Sequence, residues 1–359
     1  MNEDKASRYH RLKRTVSIVS LIWGVVLMIA LLASGASVGL RNLVGGHVVP
    51  YLVLLSLVNE IVGLPLGFYG GYVLELRYGL SNETLGGWAF DQVKSFALGI
   101  VLGAAAAQLL YWCISGSPDR WWLTAGVIFA VLFVGLTLLV PVVFLPLFYS
   151  IKPLAREALS MRLLRLAERA GARVLGAYEW GLGEKTKKAN AALAGIGGTR
   201  RILVSDTMLA EYSDDEIEVV LAHELAHHVH GDIWKGIAFE SVLIVAGFFL
   251  ASRLLQIFVT PLGLAGPDDV AGLPLLLLAA GAVSLVMVPF AHAMSRAFER
   301  SADRFALDLT RNPSAFISAM RRLGAQNLAE EHPSRLVQVL FYSHPPLRER
   351  IATAEDFKA

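Results

Sequence analysis

His223, Glu224 and His227 stand in the order H-E-x-x-H, inside the stretch 213–232, S-D-D-E-I-E-V-V-L-A-H-E-L-A-H-H-V-H-G-D. On a helix, positions i and i+4 share a face, so both imidazoles can bind one metal ion. Glu224 then sits one position round from His223, within reach of a water in the metal's open position. Three fixed positions are a thin signal in a chain this long, so a third ligand is needed. The extended form of the motif requires a glycine three residues after His227 and a histidine six after it. Those places hold His230 and Ile233, which excludes that form. The other common solution is a glutamate on a later helix. Here S-R-A-F-E-R-S-A-D-R-F-A offers Glu299, with Asp303 four residues on and on the same face.

Two neutral imidazoles and one carboxylate leave a tetrahedral Zn2+ with one open position for water. The metal would acidify that water and polarise a carbonyl, and Glu224 would take the water's proton and deliver it to a leaving amine. Imidazole ligands favour zinc over calcium or magnesium, which prefer oxygen donors. Asp303 could accept the second N–H of a ligand histidine and fix its tautomer. His228 points off the face of His223 and His227, and His230 lies a turn further along; both read as non-ligands. The single Cys113 lies in an apolar run, which excludes a thiolate site and any disulfide within the chain.

The helix that must carry the motif is well signalled. Ser213 and Glu216 read as a capping box, Asp214, Asp215 and Glu216 suit the positive end of the dipole, and Gly231 should end or bend the helix. Around it the composition is that of a membrane protein. Of 359 residues 55% are hydrophobic and 17% charged, and the mean hydropathy is +0.54. A net charge of +2 with no basic stripe argues against a nucleic-acid partner.

About six transmembrane helices are expected, at 15–40, 47–74, 95–115, 121–151, 237–259 and 270–291. The first apolar run is too long for a cleavable leader and lacks an A-x-A exit. Glu60, in mid-span, should be buried against Asn59 or a hydroxyl, or be functional. Gly63, Gly67, Gly70 and Gly71 permit close helix packing, and Pro141 and Pro146 should kink or end the fourth span. Between the fourth and fifth spans, 157–170 reads as an amphipathic helix stopped by Gly171. Stretches 173–180, 189–193 and 201–205 read as strands, the last two joined by a turn at Gly195, Gly197 and Gly198. After the sixth span come a ligand helix at 294–309, a break at Arg311 to Pro313, and a helix at 313–323.

The chain thus divides into an N-terminal membrane domain, 1–151, with four spans, and a zinc metallopeptidase domain, 152–359, with two more. The basic N-terminus belongs in the cytoplasm. Four spans return the chain to that side at Lys152, and two more do so near Arg296. The polar blocks 152–235 and 296–359 therefore share a compartment, as they must if Glu299 is to meet His223 and His227.

H-E-x-x-H followed by S-R-A-F-E-R-S-A-D resembles the pattern of the type I CAAX prenyl protease family and its relatives, which include the heat-shock membrane protease branch. R-Y-G-L-S-N-E-T-L-G-G-W with Asp91 and Lys94 is similar to that family's loop before a membrane span. K-K-A-N-A-A-L-A-G and R-R-I-L-V-S-D-T-M-L resemble its strands before the zinc helix, and S-H-P-P-L-R-E-R-I its C-terminal signature. The family usually has asparagine where this chain has His292. The resemblance implies a mainly α, polytopic membrane protein with a zincin-like α+β metalloprotease domain. It places Asp303 in the site, there as a proton donor. It has His344 contact the substrate or stabilise the tetrahedral oxyanion. It also implies that Asn190 and Ala191, on an edge strand, hold a substrate peptide by strand addition.

The expected activity is that of an integral-membrane zinc metalloendopeptidase at the cytoplasmic face of the cell membrane. Its partners would be the lipid bilayer and a peptide or protein substrate, lipidated or membrane-embedded. Two substrate classes compete, prenylated C-a-a-X tails and unfolded membrane-protein segments. A site-2-type intramembrane protease fits less well, since its H-E-x-x-H lies within an apolar span. A non-catalytic membrane scaffold has no need of the ligand set.

Overall fold

The computed structural model describes residues 4–195 and 199–358. Among them six helices are long and apolar enough to cross a bilayer, the number expected from the sequence. The first, α1 (Lys5–Ala33), begins ten residues before its charge-free run, and Gly35 in the left-handed region (φ 73°) turns the chain into α2 (Ala36–Leu43). Next, α3 (Val48–Phe68) runs through a π-helical turn, Tyr69–Val73, into α4 (Leu74–Arg77). The third span, α5 (Leu85–Gly116), also starts early, because the Thr84 side chain accepts from the amide of Gly87 at 3.1 Å and caps it. Gln92 is therefore on a helix and donates to Glu60 at 3.3 Å, the place the sequence reading gave to Asn59 or a hydroxyl. The fourth, α6 (Trp121–Leu139), stops two residues before Pro141 and passes through a second π-helical turn, Val140–Phe144, into α7 (Leu145–Phe148).

The polar layer opens with β1 (Ile151–Pro153), a strand the sequence reading did not find, and α8 (Glu157–Arg169). Then come β2 (Gly176–Trp180), β3 (Ala191–Ala194) and β4 (Arg201–Ser205), each within two or three residues of its expected bounds. The sheet order is β1-β2-β4-β3, with β2 and β4 parallel and the other pairs antiparallel. β3 is thus an edge strand, in register Ala191 with Val204 and Ala194 with Arg201. Gly195 takes φ 106°, as the expected turn requires; Gly197 and Gly198 lie outside the described residues. Short α9 (Asp206–Glu211) leads into α10 (Asp214–Val229), whose Ile217, Leu221, Ala222, Leu225 and Ala226 are wholly buried. This helix is the centre of the polar layer, packed by β3, α8 and two helices from the end of the chain.

Gly231, at φ 67°, turns the chain from α10 into the fifth span, α11 (Asp232–Phe258). The sixth departs most from expectation. A span at 270–291 and a ligand helix at 294–309 were expected as two elements. They are one, α12 (Leu273–Thr310), 38 residues long, with Pro289 inside it. No glycine or polar cluster interrupts the stretch between them, and one missing proline donor does not break a helix packed on its neighbours. At 1.5 Å per residue α12 is about 57 Å long, against about 30 Å of hydrocarbon. One crossing would take about half of that length, and Glu299 and Asp303 lie in the last third of the helix.

Arg311 in the left-handed region (φ 50°) ends α12, and the Asn312 side chain accepts from the amide of Ala315 at 3.0 Å to cap α13 (Pro313–Gln326). Beyond α13 come two more helices, α14 (Arg335–Phe341) and α15 (Leu347–Glu355).

Candidate metal centre

The helix that carries the motif is fixed at its start. The Ser213 amide donates to Glu216 Oε2 at 2.8 Å and the Glu216 amide to Ser213 Oγ at 3.3 Å, the capping box read from the sequence. Glu216 is only 3% exposed and also accepts from Ser318 (2.6 Å) and Arg322 (3.3 Å) on α13. Burial pushes its pKa up, but the hydrogen bonds from Ser318 and Ser213 and the charge of Arg322 win, and the carboxyl lies below its usual range.

Two turns on, His223 and His227 present their Nε2 atoms 3.3 Å apart. Glu299 arrives from α12 with Oε2 at 3.2 Å from His223 Nε2 and Oε1 at 3.4 Å from His227 Nε2. Among the described residues this is the group of three ligand side chains close enough to share one metal ion. The three separations match a metal site. Ligands bonded at 2.0–2.1 Å in a tetrahedron stand about 3.3 Å apart. Glu299 Oε2 is buried with no hydrogen bond of acceptable geometry, and a buried carboxylate oxygen in that position calls for a cation. The donor set and its spacing therefore fit a tetrahedral metal.

Each imidazole is held from behind by a carboxylate. Asp303 Oδ1 lies 2.9 Å from His223 Nδ1, and Asp232 Oδ2 lies 3.0 Å from His227 Nδ1. Asp303 is in turn clamped by Arg350 on α15, at 2.6 and 2.9 Å, and Asp232 accepts from Lys235 at 2.9 Å. Burial opposes a charge on His223, yet the carboxylates of Asp303 and Glu299 beside it push its pKa up to about 9. His227 is raised for the same reason, burial being outweighed by Glu299 and Asp232. Basic imidazoles oriented in this way are strong donors to a metal.

Glu224, one position round from His223, is partly buried, and burial raises its pKa against the lowering influence of His223 and His227. His344 comes from the segment between α14 and α15; its side chain is 61% exposed and its Nδ1 lies 2.7 Å from Glu299 Oε2. The structure thus gathers His223, Glu224, His227, Glu299, Asp303 and His344 in one place. His230 turns away to Ser301 and the ring of Phe305. His292 lies two turns before Glu299 on α12, and its buried Nδ1 has no hydrogen-bond partner.

Asn190 and Ala191 sit at the start of β3. The Asn190 amide donates to Ser205 Oγ and its carbonyl accepts from the Ser205 amide, both at 3.0 Å. Alternate residues of an antiparallel strand face opposite ways, so Asn190 spends its backbone on β4 and Ala191 turns its own outward.

Asp232 and Arg350 belong to the site and were missed from the sequence. Asp232 follows Gly231, whose left-handed turn brings the carboxylate back to His227; G-D after the motif was the available signal. Arg350 lies within the C-terminal signature, but nothing in L-R-E-R says which arginine turns inward.

Comparison with known proteins agrees with this geometry. Residues 153–358 match the family described as peptidase family M48, and residues 2–150 match "CAAX prenyl protease N-terminal, five membrane helices". Four of the six long helices fall within 2–150. The chain is 32% identical to the uncharacterized metalloprotease YhfN of Bacillus subtilis, over 98% of this chain and 84% of that one. It is 28% identical to CAAX prenyl protease 1 of Saccharomyces cerevisiae, over 86% and 71%. The crystal structure of S. mikatae Ste24p superposes with a TM-score of 0.87 at 24% identity, covering 98% of this chain and 88% of that one, and so shares the fold. The chain belongs to peptidase family M48, as a membrane metallopeptidase related to the CAAX prenyl proteases.

Proposed function

We propose that the protein is a zinc endopeptidase that cleaves peptide bonds at the cytoplasmic face of the cell membrane. The observation that carries the reading is the convergence of His223 Nε2 and His227 Nε2, 3.3 Å apart, on the Glu299 carboxylate, whose Oε2 lies 3.2 Å from the first and Oε1 3.4 Å from the second. His223, His227 and Glu299 would hold the ion. Zinc, when bound, polarises the scissile carbonyl and makes a water acidic near neutral pH. Glu224 takes the proton from the attacking water and passes it to the leaving amine; its raised pKa suits both halves of that task. His344, exposed at the mouth of the site, donates to the oxyanion. Asp303 orients His223 and donates no proton itself, because Arg350 and His223 already occupy both its oxygens.

The peptide joins the sheet at β3, with Ala191 supplying backbone hydrogen bonds and Asn190 its side chain. The membrane domain, 1–151, presents the substrate to the peptidase domain, 152–359. The basic start of α1 supports the cytoplasmic orientation. It reaches the same end of the bundle as the metal centre, where His10 Nε2 lies 2.8 Å from Leu328 O. The names of the relatives favour a lipidated C-terminal peptide as substrate. The test is the cleavage rate of one peptide with and without a farnesyl thioether. A higher kcat/KM for the lipidated form supports that substrate class, and equal rates point to unfolded membrane-protein segments.

A further inference from the structure

His344 approaches the metal centre on a segment with little structure of its own. α14 ends at Phe341 and α15 starts at Leu347, so no helix or strand contains it. Ordering a free backbone costs conformational entropy, and a side chain left mobile cannot be placed to a fraction of an ångström. The segment must be pinned at both ends. Downstream, Pro345 is buried, Leu347 packs on Gly324 of α13, and Arg350 is locked to Asp303.

The upstream pin is Tyr342. Its carbonyl accepts from Arg296 on α12 at 2.7 Å, and its hydroxyl donates to Glu330 Oε2 at 2.6 Å. The same oxygen accepts from Arg14 Nη1 at 2.6 Å, a residue 316 positions away near the start of the first membrane helix. Arg14 and Glu330 are mostly buried, their side chains 18% and 8% exposed, so neither charge is easily left alone. One turn earlier on α1, His10 meets Leu328 O at 2.8 Å.

The loop that carries Glu330 reaches the opposite wall as well. Asn327 accepts from the Ala189 amide at 3.2 Å, and Gln326 donates to Lys187 O at 2.8 Å, immediately before Asn190. Lys188 is bound to Glu75 at 2.9 Å, and Glu75 to Lys13 of α1 at 2.8 Å. The close fit of α1 here depends on Gly70, whose carbonyl accepts from Lys13 at 2.9 Å and where any Cβ would press on Val16. The polar end of α1 therefore sits behind both the His344 segment and the lead into β3.

We propose that Arg14, acting through Glu330 and Tyr342, is a positioning residue for His344, so that the first membrane helix helps to set the geometry of catalysis. The proposal rests on the reading of His344 as a group that touches the substrate. A staple that served stability alone would lower metal content and melting temperature together with activity. A positioning latch lowers turnover while leaving metal and KM in place.

The experiment uses the full-length, metal-loaded protein and compares Tyr342→Phe, Arg14→Ala, Arg14→Lys and His344→Ala. Tyr342→Phe and Arg14→Ala should lower kcat about ten- to a hundredfold, as expected for a displaced catalytic group, with KM and bound metal unchanged. Arg14→Lys should restore most of the loss. Adding Tyr342→Phe to His344→Ala should cost nothing further, since both act through one side chain. Amide exchange at Tyr342, Ser343 and His344 should speed up in Tyr342→Phe and Arg14→Ala. Unchanged exchange there, full kcat in both variants, or losses that multiply with that of His344→Ala would overturn the proposal. Wild-type turnover in His344→Ala alongside faster exchange would show instead that the latch orders the segment but His344 is not catalytic, which removes the reading on which the proposal stands.

Discussion

Arg350 lays its guanidinium along the carboxylate of Asp303, Nη2 to Oδ1 at 2.6 Å and Nε to Oδ2 at 2.9 Å, and Asp303 Oδ1 in turn lies 2.9 Å from Nδ1 of His223. The C-terminal helix thus reaches the metal centre through one carboxylate. A bidentate arginine fixes the plane of the carboxylate, and the carboxylate fixes which nitrogen of the imidazole carries its proton. Asp303→Asn should therefore weaken metal binding about 10- to 100-fold while leaving the ligand set intact. Competition with a chelator of known affinity measures this. Unchanged affinity would show that Asp303 does not orient His223.

Asp232 has the same relation to His227, at 3.0 Å, but His227 is more exposed than His223. Water can replace part of what is lost there. Asp232→Asn should lower metal affinity in the same direction and by less than Asp303→Asn in the same titration.

Glu216 ties the start of α10 to α13, and its carboxyl is held below the usual range. A depressed carboxylate stabilises the fold above its unfolded pKa, near 4.5, and loses that contribution as pH falls through its folded value. Glu216→Gln should cost about 1–3 kcal/mol near neutral pH, and the melting curves of variant and wild type should converge as the solution is acidified. A gap that stays constant with pH would mean that the charge of Glu216 contributes nothing.

How much of this was legible in the sequence follows from the range of the forces involved. The capping box, the i, i+4 pair and Gly231 are local, and each stands where the sequence puts it. Glu299 could be chosen as third ligand because its helix also carries Asp303 at the spacing of one turn. Six apolar stretches gave six long helices, but their ends moved, since Thr84 and Lys5 start helices well before the apolar run begins. The continuity of α12 was hidden by a change of composition that is not a change of structure: one helix carries both the apolar stretch and the polar one. Arg350, Arg14 and Glu330 could not be read at all. Their partners lie 47 and 316 residues away, and no periodicity links them.

The orientation of the bundle can be read from accessibility. Arg321 is exposed on α13 beside the peptidase core, and Arg120 is exposed in the turn between α5 and α6. The buried Cys113 gives little background. In intact cells a membrane-impermeant maleimide should label Arg120→Cys and spare Arg321→Cys until the cells are permeabilised. The reverse pattern would place the metal centre outside.

The central claim is that a metal held by His223, His227 and Glu299 works with Glu224 to hydrolyse a peptide bond. Glu224→Gln keeps the volume and polarity of the side chain and removes its ability to take a proton. The direct measurement is the peptidase rate of this variant beside its bound metal, quantified in the same sample. The rate should fall by about 10²- to 10⁴-fold, the usual worth of general acid–base catalysis, with one metal ion per chain still bound. Cleavage at the wild-type rate by a fully metal-loaded Glu224→Gln protein would contradict the mechanism.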